Sequence, residues 1–585
     1  MKFKLMFTVV ILLAAVLRLW NLSNFPAGFN ADEAAIGYNV YSLLLTGKDE
    51  YGTSWPLAFQ SFGDFKPGGY FYMVMPFVAT LGLNEWAVRL PSALLGIGTV
   101  ILIFFLAKEI FNSSQVGIIS SLLLAISPWH IHFSRGGWET NAATFFITLS
   151  VLLFITASPK PRTFSTGDVG EERFQDSAVL SGKALESLNI RKPWTLIPRK
   201  LIKGLSRNSL IFWSLISFLA SMYIYQSPRL IVPVLLLFLF IAYRRILLKI
   251  KIKKIVLSSL ILVILTIPLM LQFTRGEGGA RFAGLSFLSD LGPVSRVNEL
   301  RGEHQDPNSL LAKLEHNKIT SYGSSFLGHY LDHYKPDFLF INGDPLIRNK
   351  IPETGQFYLI EALFLVVGLI SLKRKSPHTK LLVIWVLVAP IASSITYQTP
   401  HALRALNMVI PLTLIISLGL WALVNSIGKK WRIISVGVIS LMLIFELAHY
   451  IESYYVHSPK RFPLAFEYGF KEMVGKLAIY ESKYKKIVIT DRYDQPYILL
   501  LFYKKYDPAK YQPQAILSPR DKFNFGTVRN FDKYEFRSIN PIEIKQNENT
   551  LFIITEQELG QNANIIDKVD FPNGEPAFIF VESEK

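Results

Sequence analysis

Two adjacent acids, Asp32 and Glu33, stand in the run Phe29-Asn-Ala-Asp-Glu-Ala-Ala-Ile-Gly-Tyr38, just after the first apolar stretch. A carboxylate at a membrane surface loses solvation, which suits it to act as a general base or as a ligand of a divalent metal ion. The same pattern suits the start of a helix, with Asn30 or Asp32 as the N-cap. The residues alone leave both interpretations open.

A lysine that could meet a phosphate follows in Phe62-Gly-Asp-Phe-Lys-Pro-Gly-Gly-Tyr70. It precedes an apolar stretch, Tyr70 to Leu83, that is short for a membrane span and suits a helix lying in the interface. Lys66 can bind a lipid phosphate as a point charge, or its ammonium group can simply extend to the headgroups.

A third cluster lies in Pro128-Trp-His-Ile-His-Phe-Ser-Arg-Gly-Gly-Trp-Glu139. His130 and His132 lack the i,i+4 spacing of a helical zinc site, so the spacing predicts no metal there. Arg135 and Glu139 are four residues apart and can pair with each other. A charged pair at the top of a helix bundle is also a place where a substrate binds.

Two short segments each place an arginine at the lip of an apolar stretch. They are Tyr223-Ile-Tyr-Gln-Ser-Pro-Arg229 and Thr399-Pro-His-Ala-Leu-Arg404. A guanidinium group can bind a phosphate through two parallel hydrogen bonds, or it can extend toward the lipid headgroups. The glycine-rich run 275–281 lacks the Lys-Ser/Thr pair of a P-loop, so it predicts no nucleotide site.

Long apolar runs between these clusters predict the scaffold that positions them. Half of the 585 residues are hydrophobic, and they form unbroken runs rather than alternating patterns. Runs of this kind are typical of transmembrane helices. We predict about eleven spans, at 4–20, 87–107, 115–131, 140–157, 209–226, 229–243, 255–273, 356–372, 380–397, 403–426 and 432–449.

The first of these runs resembles a signal peptide. No small-residue cleavage site follows it, so we expect a retained helix. The chain has no cysteine, which excludes disulfides, thiolate metal sites and cysteine nucleophiles.

The basic residues that give the chain its net charge of +17 are concentrated in the loops on one side of the predicted topology. The loop 158–208 has ten basic and five acidic residues, and the loop 244–254 has six basic residues and no acid. These loops share one side with the N-terminus, and the positive-inside rule places that side in the cytoplasm. The basicity therefore needs no nucleic acid to explain it, and no nucleic-acid partner is predicted.

The opposite side carries the larger polar pieces, the loops 21–86 and 274–355 and the segment 450–585. Strand-like runs occur at 486–490, 551–555 and 577–581, and a helical run at 497–506. We predict a transmembrane domain over 1–449 and a small extracytoplasmic α/β domain over 450–585.

In combination, these motifs resemble the C-type (GT-C) membrane glycosyltransferases, in particular family 39. That family includes the dolichyl-phosphate-mannose protein mannosyltransferases and the bacterial aminoarabinose transferases of lipid A. The resemblance covers residues 5–450. It rests on four features. The first is the Asp-Glu pair of the first loop, and the second is the Lys-Pro before an interfacial helix, followed by Leu83-Asn-Glu-Trp-Ala-Val-Arg-Leu-Pro-Ser92. The third is Ser134-Arg with a following acid, and the fourth is the Tyr-x-Tyr-x-x-x-Arg turn with a later His and Arg. The run Phe338-Leu-Phe-Ile-Asn-Gly-Asp344 resembles a bacterial subgroup.

The resemblance implies roles for particular residues. Asp32 would act as the catalytic base, with Glu33 assisting it or binding metal, and Glu139 would replace the usual second-loop aspartate. The implied phosphate-binding residues are Lys66, Arg135, Arg229, His401 and Arg404. Asp64 stands where some members have a metal-binding acid, so a divalent metal ion is a candidate cofactor, and no nucleotide cofactor is implied.

The implied reaction is an inverting transfer of a sugar from a polyprenyl-phosphate carrier to an acceptor hydroxyl, on the outer face of the plasma membrane. The acceptor, whether protein, lipid or glycan, is open. A transporter or flippase of lipid-linked sugars is the alternative function, and a non-catalytic scaffold is a further one. Transporters bind near the midplane between repeated halves, whereas the polar residues here lie at span ends.

Overall fold

A computed structural model describes residues 2–158, 206–247, 252–274, 292–372, 376–520, 525–544, 549–561 and 563–583. Nearly all of the predicted cytoplasmic loop 158–208, part of the loop 244–254 and the whole glycine-rich run 275–281 lie outside the described residues.

The first part of the chain is helical apart from one β-hairpin. Its elements are α1 (Lys2–Leu19), α2 (Ala31–Thr46), β1 (Ala58–Ser61), β2 (Asp64–Pro67), α3 (Gly69–Leu81), α4 (Glu85–Phe111), α5 (Ser114–Ile126), α6 (Pro128–Arg135) and α7 (Glu139–Ala157). The predicted short helix after Lys66 is α3, which begins directly after the hairpin.

The middle of the chain continues as helices. They are α8 (Arg207–Ile224), α9 (Pro228–Leu247), α10 (Ile252–Thr274), α11 (Gly292–Gly302), α12 (Leu310–Glu315), α13 (Lys318–Asp332), α14 (Leu359–Ser371), α15 (Pro377–Val388), α16 (Ile391–Ser394), α17 (Val409–Ser426), α18 (Lys429–Glu452) and α19 (Ser458–Arg461).

Fewer helices qualify as membrane spans than the eleven predicted. Within the described residues, five are long and apolar enough to cross a membrane, or six if the bent pair α5–α6 is one span. The five are Glu85–Phe111, Glu139–Ala157, Pro377–Ser394, Leu406–Ser426 and Lys429–Arg461. A helix does lie at each predicted span. The pair α5–α6 bends by 56°, and three further apolar helical stretches among the described residues are shorter: Gly69–Leu81, Leu260–Gln272 and Leu359–Ser371.

The helix bundle packs through α4, α5 and α7, with α8 against α7 and α14 against α17. The α14–α17 crossing is close because glycines face each other. A Cβ at Gly419 would lie 1.8 Å from the carbonyl oxygen of Phe364, so only glycine fits there.

The last part of the chain forms an α/β unit. Its elements are α20 (Phe470–Tyr480), β3 (Lys486–Ile489), α21 (Pro496–Lys504), α22 (Pro508–Tyr511), β4 (Asn530–Phe531), β5 (Tyr534–Phe536), α23 (Pro541–Ile544), β6 (Thr550–Ile554), β7 (Asn564–Asp570) and β8 (Pro576–Glu582). The six strands form one sheet in the order β4-β5-β3-β6-β8-β7.

The centre of this sheet is parallel and its edges are antiparallel. Strand β3 pairs in parallel with β5 and β6. All three predicted strand runs are strands, and the predicted helical run is α21. All five residues of β6 are buried, as expected for a strand that is covered on both faces.

The C-terminal α/β unit packs against helix α2, which belongs to the first loop. The rings of Phe29 and Phe502 lie 4.6 Å apart, and the Tyr38 hydroxyl donates to the carbonyl of Tyr506 at 3.0 Å. A Cβ at Gly37 would lie 2.5 Å from the Phe502 ring, so this contact needs glycine. The packing brings the loop between β3 and α21 to the N-terminal end of α2.

A buried acid at this contact makes stability depend on pH. Glu50 accepts a hydrogen bond from Asn39 at 2.9 Å, and burial raises its pKa to about 8 from an ordinary 4.5. The folded chain therefore holds more protons than the unfolded chain between these values, and stability falls as pH rises through that window. The loss is several kcal/mol, at about 1.4 kcal/mol per pKa unit.

We expect Glu50→Gln to melt at the same temperature as wild type at pH 5 and at a higher temperature at pH 9, because the uncharged amide has no proton to lose. Thermal unfolding in detergent at both pH values measures this. Glu575→Gln, at an exposed position in the β7–β8 turn, is the control and should follow wild type. Equal losses on alkalinisation in wild type and Glu50→Gln would contradict the assignment.

Candidate functional site

A cavity of about 350 Å³ lies between the first loop, the loops around residues 348 and 401, and the C-terminal unit. Five of the residues singled out in the sequence line it: Asp32, Asp64, Lys66, His401 and Arg404. Arg348 and Asp494 line it as well. The structure thus gathers acids and basic side chains from distant parts of the chain in one cavity.

The start of α2 sets the position of Asp32. Asn30 is the N-cap, and its side chain accepts from the backbone of Glu33, whose own side chain bonds back to complete a capping box. Asp32 is left in the first turn, with its side chain 33% exposed, on the cavity wall. The helix-start interpretation therefore describes Asn30 and Glu33, while Asp32 faces the cavity.

Glu33 lies next to Asp32 in sequence but outside the cavity lining. It forms a fully buried pair with Arg89, with 2.8 Å from Nε to Oε1 and 3.0 Å from Nη2 to Oε2. The Gly137 amide donates to Oε1 at 2.8 Å, and the Asn30 side-chain amide to Oε2 at 3.1 Å. Both carboxylate oxygens are committed to these donors, so Glu33 does not fit a metal ligand.

Arg89 anchors the first loop from α4. Besides Glu33, its guanidinium donates to the carbonyl oxygens of Leu22, Pro26 and Gly28 at 3.2, 3.1 and 2.6 Å. It lies in the Leu83–Ser92 motif of the sequence. This network fixes the turn that precedes α2, and with it the place of Asp32.

Lys66 reaches Asp32 from the β-hairpin. It stands on β2 opposite Phe59, and its ammonium group is in direct contact with Asp32 Oδ1. The same ammonium lies 5.4 Å from the ring centre of Phe62. Asp64, at the start of β2, is half-buried and accepts from the backbone of Phe65 at 2.8 Å.

Arg348 is a central cation that the sequence did not indicate. Its guanidinium lies 3.8 Å from Asp32, 3.6 Å from Glu467 and 3.5 Å from Asp494. Burial raises the pKa of Glu467 well above its ordinary value, although Arg348 opposes the shift. One guanidinium therefore joins the first loop to two acids of the C-terminal segment.

Asp344 links the loops that carry Arg348 and His401. One of its oxygens accepts from the Leu346 amide at 2.8 Å, and the other from the Ala402 amide at 2.6 Å and from Asn349 at 3.0 Å. Burial raises the pKa of Asp344 to about 6, although these hydrogen bonds lower it. His401 Nδ1 lies 3.9 Å from the same carboxylate.

Besides Glu33, three residues implied by the resemblance are not brought to the cavity lining. Arg135 is fully buried and donates to the carbonyl oxygens of Leu17 and Trp20 at 2.9 and 2.7 Å, because it closes the end of α1. Arg229 donates to the side chain of Gln272 at 3.0 Å. Glu139 is buried at the first position of α7.

The residues missed by sequence reasoning are Arg348, Glu467 and Asp494. Arg348 follows the quoted Phe338–Asp344 motif, and this proximity was the one available signal. Asp494 follows the carboxyl end of β3, and binding sites in open sheets form at that end of the parallel strands. No local sequence pattern indicates that Asp494 lies close to the membrane domain.

The arrangement suits anion binding beside a proton acceptor. Lysine and arginine side chains bind phosphate through charge-assisted hydrogen bonds. Asp32 lies between Lys66 and Arg348, so an anion that draws these cations away leaves its carboxylate able to accept a proton.

One segment of the chain matches a known protein family. Residues 66–165 match the model of the dolichyl-phosphate-mannose-protein mannosyltransferase family. An uncharacterised protein of Aquifex aeolicus (strain VF5) is 32% identical over 99 residues, which are 17% of this chain and 20% of that protein. The match thus spans about a fifth of that relative's length.

Two solved structures align with most of this chain. ArnT from Cupriavidus metallidurans, bound to undecaprenyl phosphate, has a TM-score of 0.50 at 10% identity, over 98% of this chain and 97% of ArnT. The Archaeoglobus fulgidus oligosaccharyltransferase, tethered with an acceptor peptide, has a TM-score of 0.48 at 13% identity, over 86% of this chain and 63% of that one. The chain therefore spans less than two thirds of the oligosaccharyltransferase.

These findings bear on two of the predictions. The predicted resemblance to the mannosyltransferase family is confirmed by the match over residues 66–165. The predicted fold class, a polytopic helical membrane protein of the GT-C type, is confirmed at that level.

Proposed function

We propose that this protein is a membrane glycosyltransferase that uses a polyprenyl-phosphate-linked sugar. The family match over residues 66–165 and the similarity of the fold to ArnT support this proposal. The observation that carries the proposal is the 350 Å³ cavity, which Asp32, Lys66, Arg348, His401 and Arg404 line together. The carrier phosphate binds the basic side chains, and the sugar lies toward Asp32.

In the proposed reaction, the acceptor hydroxyl oxygen forms a bond to the anomeric carbon. The bond from that carbon to the phosphate oxygen breaks, and its electrons stay on the departing polyprenyl phosphate. Asp32 takes the hydroxyl proton, as a general base. Lys66, Arg348 and Arg404 stabilise the charge that develops on the phosphate, in the manner of electrostatic catalysis.

Binding of the donor prepares Asp32 for its role. Without phosphate, Lys66 and Arg348 lie against the Asp32 carboxylate and lower its tendency to accept a proton. When these cations turn toward the donor phosphate, the carboxylate faces the acceptor. The order of events is therefore donor first and proton removal second.

No step of this mechanism runs through a metal ion. The oxygens of Glu33 are bound to Arg89, Gly137 and Asn30, so a divalent ion would have to displace a buried ion pair. Asp64 lines the cavity and is proposed to contact the acceptor or its hydration shell. Glu33 is proposed to position α2 rather than to react.

The membrane arrangement is part of the proposal. The basic loops favour a cytoplasmic N-terminus under the positive-inside rule. We propose residues 450–585 as an outward domain, and Asp494 and Phe525 from it line the cavity. The eleven spans are proposed as the helices at the predicted positions, with α5–α6 as one bent span. The acceptor is an envelope molecule that reaches this outer face of the plasma membrane.

The cavity position disfavours a flippase. Asp32 lies at the N-terminal end of α2 and Arg404 lies just before α17, so the polar groups gather at helix ends. Transporters of polar cargo bind near the midplane of the membrane.

Donor binding tests the role of the basic side chains. Lys66→Gln should weaken the binding of polyprenyl phosphate by about 10- to 100-fold, because a hydrogen bond to a charged group contributes about 1.5–3 kcal/mol. Titration of the purified protein with short-chain polyprenyl phosphate in detergent measures the affinity. Arg461→Gln, which removes an exposed charge paired with Glu353, is the matched control. Unchanged affinity in Lys66→Gln would sink the phosphate assignment.

A further inference from the structure

We propose that a second site, remote from the catalytic cavity, binds a divalent transition-metal ion of the zinc class. It consists of His304, Glu315 and His316, whose potential ligand atoms all lie within 4.8 Å of one another. Among the described residues, this is the one group of three or more His, Asp or Glu side chains close enough to hold a metal ion. None of the three lines the catalytic cavity.

The donor set suits zinc. Two imidazoles and one carboxylate provide three ligands, and zinc sites of that composition complete a tetrahedron with water. Zinc bonds to nitrogen and carboxylate oxygen are about 2.0–2.2 Å long, so small rotations of these side chains close the site. The rings of His304 and His316 already lie 5.1 Å apart at their centres. The two imidazoles favour this class of ion over calcium or magnesium, which prefer oxygen ligands.

The surrounding segment has little core to hold it. Within α11 the one buried residue is Val297, within α12 it is Ala312, and α13 has none. Small units without a sufficient core rely on cross-links such as a structural metal. The proposed ion would join the loop after α11 to the junction of α12 and α13.

The backbone already brings the two sides of the site together. Arg301, in the last turn of α11, donates from Nε to the carbonyl of His316 at 2.6 Å. This bond spans the same gap as the proposed metal. Part of the site geometry is therefore set before any ion binds, which reduces the ordering that binding requires.

Zinc content per chain tests the proposal. Full-length protein without a histidine tag is treated with chelator, dialysed and titrated with zinc chloride in detergent. We expect one zinc ion per chain by elemental analysis, and protection of the segment 292–332 from protease. His304→Ala and His316→Ala should each weaken zinc binding by at least about 100-fold, because removing a ligand costs more than removing an outer-shell partner.

Two further variants separate loss of binding from loss of folding. Glu315→Gln keeps the side-chain shape and should weaken zinc binding while the far-ultraviolet circular dichroism stays that of wild type. His329→Ala, on α13 but outside the group, should bind zinc as wild type does. Equal zinc affinity in all variants would mean an adventitious ion only, and no bound zinc in wild type would equally overturn the proposal.

Discussion

Asp32→Asn is expected to lower sugar transfer by about 10²- to 10⁴-fold, the range that a general base contributes. The amide keeps the size of the side chain and can still bond to neighbours, but it cannot take the acceptor proton. Binding of polyprenyl phosphate should persist, because Lys66, Arg348 and Arg404 are unchanged. Transfer rates and carrier affinity, measured on the same preparation, check both halves of this expectation.

A matched control is available on the C-terminal unit. Asp532 is exposed, and its carboxylate accepts from the Tyr506 hydroxyl at 3.1 Å, a bond that asparagine can keep. Asp532→Asn should transfer sugar as wild type does. If Asp32→Asn lost carrier binding along with transfer, Asp32 would be needed to hold the cations in place rather than to move a proton.

Arg89→Met is expected to destabilise the protein by about 3–5 kcal/mol, because it leaves Glu33 as a buried carboxylate without its partner. The turn that carries Asp32 also loses the donor to the carbonyl oxygens of Pro26 and Gly28. Thermal unfolding in detergent, or the folded fraction after purification, measures the loss.

The double variant Arg89→Met/Glu33→Gln is the control for charge. It removes the unpaired carboxylate, so it should be more stable than Arg89→Met alone. Added magnesium or manganese should change the melting temperatures of wild type and Glu33→Gln equally, because Glu33 is proposed to position α2 rather than to hold a metal. A wild-type protein stabilised by magnesium or manganese, with no such response in Glu33→Gln, would instead support a metal at Glu33.

Some acidic and basic residues of the cavity could be predicted from the sequence. They stand next to apolar runs or turn motifs along the chain. Asp32, Lys66 and Arg404 all stand at the ends of such runs, and order along the chain was sufficient to expect them on one side. The pattern Asn30-x-x-Glu33 also predicted a helix start, and α2 begins there with a capping box. These are local signals, which one chain carries by itself.

The contacts that complete the site are not local. Arg348 contacts Asp32, and it also pairs with Glu467 and Asp494 of the C-terminal segment, which packs against this part of the chain. No local sequence pattern indicates that packing. The carboxylate of Glu33 is bound by Arg89, which lies more than fifty residues away along the chain. The number of spans stays a prediction, because a hydrophobic run does not reveal where a helix bends or how much of it is helical.

Donor cleavage by the reconstituted protein distinguishes sugar transfer from transport of the intact lipid-linked sugar. Wild type in liposomes is given polyprenyl-phosphate sugars labelled in the sugar, with a membrane extract as the source of acceptor, and both free polyprenyl phosphate and the location of the label are followed. We expect wild type to break the sugar–phosphate bond, and Asp32→Asn to break it about 10²- to 10⁴-fold more slowly. Movement of the intact lipid-linked sugar across the bilayer, without cleavage and equally in Asp32→Asn, would contradict it.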